Sequence, residues 1–163
     1  MKIGKKKFNT LHTQKGFTLV ELLIVIIILV IAATIVSFNF SAHKTTQALN
    51  NGEDETVSLL NEARSRTLAA ENNIQYGVHF SSSKAILFSG TTFIDGAAGN
   101  KEVDFDSTIT MSSILLAGGG SDVVFQKMTG ETSAYGTLIL QKTATTLGQK
   151  TITITKPGLV SGN

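Results

Sequence analysis

The hydrophobic positions of this chain fall into two regimes, and the change comes near residue 40. Residues 17–36 read FTLVELLIVIIILVIAATIV, apolar at every position except Thr18, Glu21 and Thr34. A helix of that length, at about 1.5 Å per residue, covers roughly 30 Å, the hydrocarbon thickness of a bilayer. After Phe40 the apolar positions Ala48, Leu49, Val57, Leu60, Ala63 and Leu68 keep a helical spacing, now with one polar face. Asn50-Asn51-Gly52 interrupts this stretch. Glycine inside a helix costs about 1 kcal/mol relative to alanine, so a kink or short break is expected there. Glu53, Asp54 and Glu55 then suit the first turn of a second helical piece through the macrodipole, and the helix is expected to end near Asn72-Asn73.

Beyond that point the period shortens to that of strands. Residues 75–80 and 85–88 flank Ser81-Ser82-Ser83-Lys84 and predict a hairpin. Val103-Asp104-Phe105-Asp106 alternates apolar with acidic residues. Further strands are expected at 108–111, 114–116, 123–126, 137–142 and 151–155. Gly96, Gly99, Gly118-Gly119-Gly120, Gly130, Gly136 and Gly148 mark the turns.

Composition agrees with a β-rich head: glycine is plentiful (15), proline nearly absent (1), and threonine, serine, valine and isoleucine recur in the second half. The formal charge of +2 is unevenly placed. Lys2, Lys5, Lys6, Lys7 and Lys15 precede the apolar run, where there is no acid; the remaining nine basic residues face twelve acids. A protein-wide basic surface for nucleic acid is therefore not expected. Lysines before the apolar run, and none again until Lys44, place the N-terminus on the cytoplasmic side by the positive-inside bias. The absence of cysteine excludes disulfides, thiolate chemistry and cysteine-bound zinc.

Three readings of the apolar run stand on these residues alone. It is an uncleaved signal anchor, a secretory signal peptide, or a helix whose acid has a purpose. A secretory signal needs an apolar region of about 7–15 residues and a small-x-small site, against which this run is long. An acid at mid-bilayer costs on the order of 2.5–3.5 kcal/mol, so Glu21 calls for a partner.

Lys15-Gly16-Phe17-Thr18-Leu19-Val20-Glu21, followed by Leu22-Leu23-Ile24-Val25-Ile26, resembles the class III signal of type IV prepilins and type II secretion pseudopilins. The resemblance implies cleavage by a membrane prepilin peptidase between Gly16 and Phe17, and N-methylation of Phe17. Glu21 then becomes the fifth residue of the cleaved chain and serves subunit assembly, pairing with the N-terminus of an adjacent subunit. An unpaired charge in an apolar filament core is strongly unfavourable, which is the physical reason for such a pair. One departure stands out. Many members carry a proline where this chain has Phe38, so the helix kink that a proline ring enforces is not implied here.

The second half also resembles a family. Leu59-Leu60-Asn61-Glu62-Ala63-Arg64-Ser65 leading to Asn72-Asn73, Val124-Phe125 before Gly130, and Ile152-Thr153-Ile154 with Gly158 are similar to the GspH/FimT-like minor pseudopilins. The implied fold class is α+β: a long N-terminal membrane helix packed on an antiparallel β-sheet head. Four regions follow: a cleaved leader (1–16), a transmembrane and assembly helix (17–40), an amphipathic continuation (41–73) and a globular head (74–163). The implied function is a structural subunit of a type IV pilus or type II secretion-like filament, anchored in the bacterial inner membrane. Its head would lie in the periplasm or outside the cell. Its partners would be other pilin or pseudopilin subunits, the prepilin peptidase, the membrane platform of the assembly machinery and the lipid bilayer. The alternative is a DNA-binding minor pilin of a competence pilus, although the head offers only scattered Lys127, Lys142, Lys150 and Lys156.

Nothing in the sequence asks for an enzyme, a cofactor or a metal. His12, His43 and His79 have no neighbour at ligand spacing, and His79 is expected to point outward from a strand between Val78 and Phe80. Gly118-Gly119-Gly120 lacks the Gly-Lys-Ser/Thr of a phosphate loop. Asp104 and Asp106, with Asp95 and Glu102, lack the frame of a calcium loop and suit an edge strand that discourages pairing. Arg64 and Arg66 are expected to make helix-face or dipole contacts.

Overall fold

The computed structural model describes residues 16–144 and 148–163, and within them the side chains of residues 36–42 fall outside the description. The leader before Gly16, His12 and the side chain of Phe38 therefore lie outside the described residues. The chain forms two compact units, Met1–Phe40 and Ser41–Asn163.

One helix, α1 (Leu19–Leu68), carries both helical regimes. Among the described residues, no helix is long and apolar enough to cross a membrane. The apolar stretch of α1 with described side chains, 19–35, is seventeen residues. At 1.5 Å each it reaches roughly 26 Å, short of the 30 Å hydrocarbon core.

The break expected at Asn50-Asn51-Gly52 does not occur; α1 runs through it. Gly52 is there for close approach. A Cβ at this position would lie 2.7 Å from Ile109 Cδ1 and 3.3 Å from Leu140 Cδ2. Helix and strands pack together at this point, which offsets the poor helix propensity of glycine. Thr56 Oγ1 donates to the Gly52 carbonyl at 2.6 Å, one turn on. The helix ends at Leu68, before the expected asparagines. Ala70, Asn72 and Asn73 take left-handed backbone angles around a short 3-10 turn, Glu71–Asn73.

Among the described residues the head has eight strands: β1 (Tyr76–Phe80), β2 (Lys84–Ser89), β3 (Lys101–Asp104), β4 (Ile109–Leu116), β5 (Asp122–Val124), β6 (Gly136–Lys142), β7 (Gln149–Ile154) and β8 (Val160–Gly162). They form two four-stranded sheets, in the orders β3-β2-β1-β5 and β4-β6-β7-β8. Every pairing is antiparallel. The hairpin of β1 and β2 turns at Ser81–Ser83, as the serine cluster suggests. Positions 108–111 and 114–116, expected as two strands, are one strand with an irregularity in its register between Met111 and Ser113. A bulge bends a strand without ending it, and a period-2 pattern read across one loses phase.

A single core joins helix and sheets. Leu49, Leu59, Leu60 and Ala63 from α1 meet Val78, Phe80 and Leu87 from the first sheet and Leu138, Leu140, Ile152 and Ile154 from the second. On β2 the alternate residues Ile86 and Phe88 are buried as well. The loop after β2 covers that outer face: Phe93 meets Phe88 edge-on at 5.6 Å and stacks on His79 at 4.0 Å.

Candidate functional site

The N-terminal segment is built from local chemistry. Among the described residues no atom lies within 4 Å of the place a Cβ on Gly16 would occupy, beside the junction with Phe17. Phe17 is 86% exposed. The Glu21 N–H donates to Thr18 Oγ1 at 3.2 Å, and the Leu22 N–H to the Thr18 carbonyl at 3.1 Å. Thr18 thus caps the helix and Glu21 falls three residues on. This is the Ser/Thr-x-x-Glu spacing of a capping box, in which the acid also favours the helix N-terminus. Sequence reading singled out Glu21 and passed over Thr18, although the spacing was there to be read. Among the described residues Glu21 makes no ion pair.

From Leu19 to Ile31 every Leu, Ile and Val side chain is about half or more exposed, on all sides of the helix. A helix apolar all round needs cover all round, from lipid or from other helices. Thr34 Oγ1 donates to the Ile31 carbonyl at 2.7 Å, which satisfies the one other polar side chain of the stretch.

In the head, Glu102 and Asp106 each have a partner of their own. Lys84 Nζ meets Glu102 at 2.8 Å across the β2–β3 pair. Asp106 accepts from the Thr108 hydroxyl at 2.7 Å and the Thr108 N–H at 2.8 Å. Those bonds hold its carboxyl below the usual range. Asp104 is exposed on β3, which is an edge strand as its acidic alternation suggested. No cluster of three or more potential metal ligands exists among the described residues.

His79 does lie opposite Val78 and Phe80, but not in plain solvent. Its Nδ1 is 2.6 Å from Asp122 Oδ1, beneath the Phe93 ring. Arg66 pairs with Glu62 at 2.7 Å on the helix face. Arg64 does more than serve the helix: its Nε donates to the Gly130 carbonyl at 3.2 Å, tying a distant turn to α1. Of Lys127, Lys142, Lys150 and Lys156, three are engaged internally: Lys127 with Asn73, Lys142 with Thr46 at 3.1 Å, and Lys150 with Glu53 at 3.0 Å.

Comparison with known proteins adds two findings. Residues 11–37 match the prokaryotic N-terminal methylation motif, and Gly16, Phe17, Thr18 and Glu21 all fall inside that stretch. The fold is similar to the crystal structure of the type IV minor pilin FimU of Pseudomonas aeruginosa (strain PAO1). The TM-score is 0.53 at 14% sequence identity, with 71% of this chain and 92% of that chain covered. A search among curated proteins gives no significant match. Motif and fold together make the chain type IV pilin-like, α+β with an N-terminal helix packed on antiparallel sheets, and the GspH/FimT subfamily is compatible with both.

Proposed function

We propose that this chain is a structural subunit, a minor pilin or pseudopilin, that enters a filament through its N-terminal helix. The observation that carries this reading is the methylation motif lying on an apolar helix with no cover of its own. Exposed apolar surface on this scale is stable in lipid or among other helices, and a filament subunit moves from one to the other. The chemistry is that of assembly rather than catalysis.

In this reading the leader ends at Gly16, and cleavage creates an α-amino group on Phe17, which is then methylated. That cation lies close to Glu21 in sequence. Thr18 fixes the first turn of α1, so the carboxylate of Glu21 is held near the new terminus. In an apolar surrounding, carboxylate and ammonium of adjacent subunits neutralise each other, and the requirement that they meet sets axial register. Before assembly the helix spans the inner membrane with a cytoplasmic N-terminus, residues 17–36 supplying the span.

The test is a Glu21→Ala variant followed through membrane insertion and filament entry. Insertion should be retained, because removing an acid from an apolar helix favours the bilayer. Incorporation into sheared filaments should drop by at least tenfold. Normal incorporation would remove the charge-pair mechanism.

A further inference from the structure

The sheet β4-β6-β7-β8 has two faces of different chemistry. Leu138, Leu140, Ile152 and Ile154 are buried in the core that the sheet shares with α1. Side chains alternate along a strand, so Thr137, Ile139, Thr151 and Thr153 take the opposite face, and all four are partly exposed. The register arranges this outer face in rows. Leu115, Thr137, Thr153 and Ser161 stand opposite one another across the four strands. Ser113, Ile139 and Thr151 form the next row, which Asn163 joins through its backbone bonds with Thr151 at 3.0 and 3.1 Å. In the other direction the Ala117 N–H donates to the Tyr135 carbonyl at 2.8 Å, which carries the ladder past Gly136 to Tyr135.

No charged residue stands in these rows. The lysines of the same strands are engaged on the helix side, Lys142 with Thr46 and Lys150 with Glu53. Among the described residues the hydroxyls of Ser113, Tyr135, Thr137, Thr151, Thr153 and Ser161 have no hydrogen-bond partner. Apolar surface appears singly, at Leu115 (62% exposed) and on the ring of Tyr135 (45% exposed).

These properties select among occupants. Nucleic acid and acidic headgroups would find no cation here to meet their phosphates. A protein partner with an apolar centre would strip water from the hydroxyls and leave them unpaired, which is costly. A neutral polysaccharide suits the face. Its hydroxyls both donate and accept, as those of serine and threonine do, and it brings no charge to be paired. The C–H face of a sugar ring also lies well on an exposed tyrosine, whose ring is apolar and whose edge is polar.

We propose that the outer face of β4-β6-β7-β8 binds a neutral polysaccharide, with Tyr135 and the row Thr137–Thr153–Ser161 as its contacts. Such binding belongs to the head alone, whatever the N-terminal helix joins.

Full-length protein in detergent, mixed with microcrystalline cellulose or with insoluble chitin, tests the contact through the fraction that sediments with the solid. Retention is expected on at least one of them, equal at low and high salt, and released by cellohexaose or chitohexaose. Tyr135→Ala should lower it roughly tenfold, as loss of an aromatic anchor does. Thr153→Glu sets a charge in the middle of the row and should abolish it. Thr92→Glu, an exposed position outside the face, should leave it unchanged. Leu115 and Tyr135 are exposed, so Leu115→Ala with Tyr135→Ala carries the test should Thr153→Glu fail to fold.

Retention on neither solid overturns the proposal, as does retention that survives the substitutions at Leu115, Tyr135 and Thr153. Retention that falls with salt, or that duplex DNA releases, assigns the binding to charged groups elsewhere and overturns it as well. Sedimentation of the protein alone covers the remaining occupant. Self-association that is lost in Tyr135→Ala, without retention on either solid, gives the face to a second copy of this chain instead.

Discussion

Thr67 shows how much a single hydroxyl can organise. It is fully buried, donates to the Ala63 carbonyl at 2.8 Å and accepts the Tyr76 N–H at 2.9 Å, so it joins the last turn of α1 to the first strand. Thr67→Val keeps the shape and leaves a buried N–H unpaired. Denaturant unfolding should show a loss of about 1–3 kcal/mol. Glu62 makes a second residue-scale prediction. The hydrogen bond from Lys101, with added charge from Lys101 and Arg66, holds its carboxyl below the usual glutamate range. A carboxyl depressed on folding adds stability above its unfolded pKa, and that contribution is lost as pH falls through the folded value. Carboxyl NMR titration should therefore place Glu62 below an ordinary glutamate, and Lys101→Met should raise it. Neither role was legible in the sequence. Thr67 sits at an apolar-spaced position without a visible partner, and Lys101 is 39 residues from Glu62. The capping spacing of Thr18 and Glu21 was legible, because it is local.

The elements follow the same division between local and distant causes. The β1–β2 hairpin is written in a serine-rich turn between two apolar runs. Continuity of α1 through Gly52 is not, because it depends on Ile109 and Leu140 arriving from strands far along the chain. The last strand, β8, was missed for a similar reason: three residues with glycine and serine have no strand pattern of their own. Its place is set from outside. Gly162 lies against the buried carboxylate of Glu53, where a Cβ would be 2.2 Å from Oε1, and Glu53 is pinned by Lys150 at 3.0 Å. Gly162→Ala should push β8 off β7. Hydrogen exchange at the Asn163 amide, which is bonded to the Thr151 carbonyl at 3.0 Å, should quicken at least tenfold, about 1.4 kcal/mol of local stability. Amides of β1 and β2 should keep their protection.

For the molecule as a whole, the two regimes of hydrophobic pattern correspond to two kinds of surface. The first is exposed, with the described apolar side chains of 19–31 about half or more open, and the second closes a core of helix and two sheets. The N-terminal motif could be read from sequence because its recognition is a matter of consecutive residues. The division of the head into two sheets could not, since strand order depends on pairings between distant segments, such as β1 with β5. We propose that cleavage after Gly16 prepares this surface for assembly. The mass of the N-terminal peptide of the mature protein, taken from membranes of cells that make it, tests this directly. The account predicts a peptide that begins at Phe17 and is heavier by one methyl group. A peptide that still begins at Met1 would contradict it.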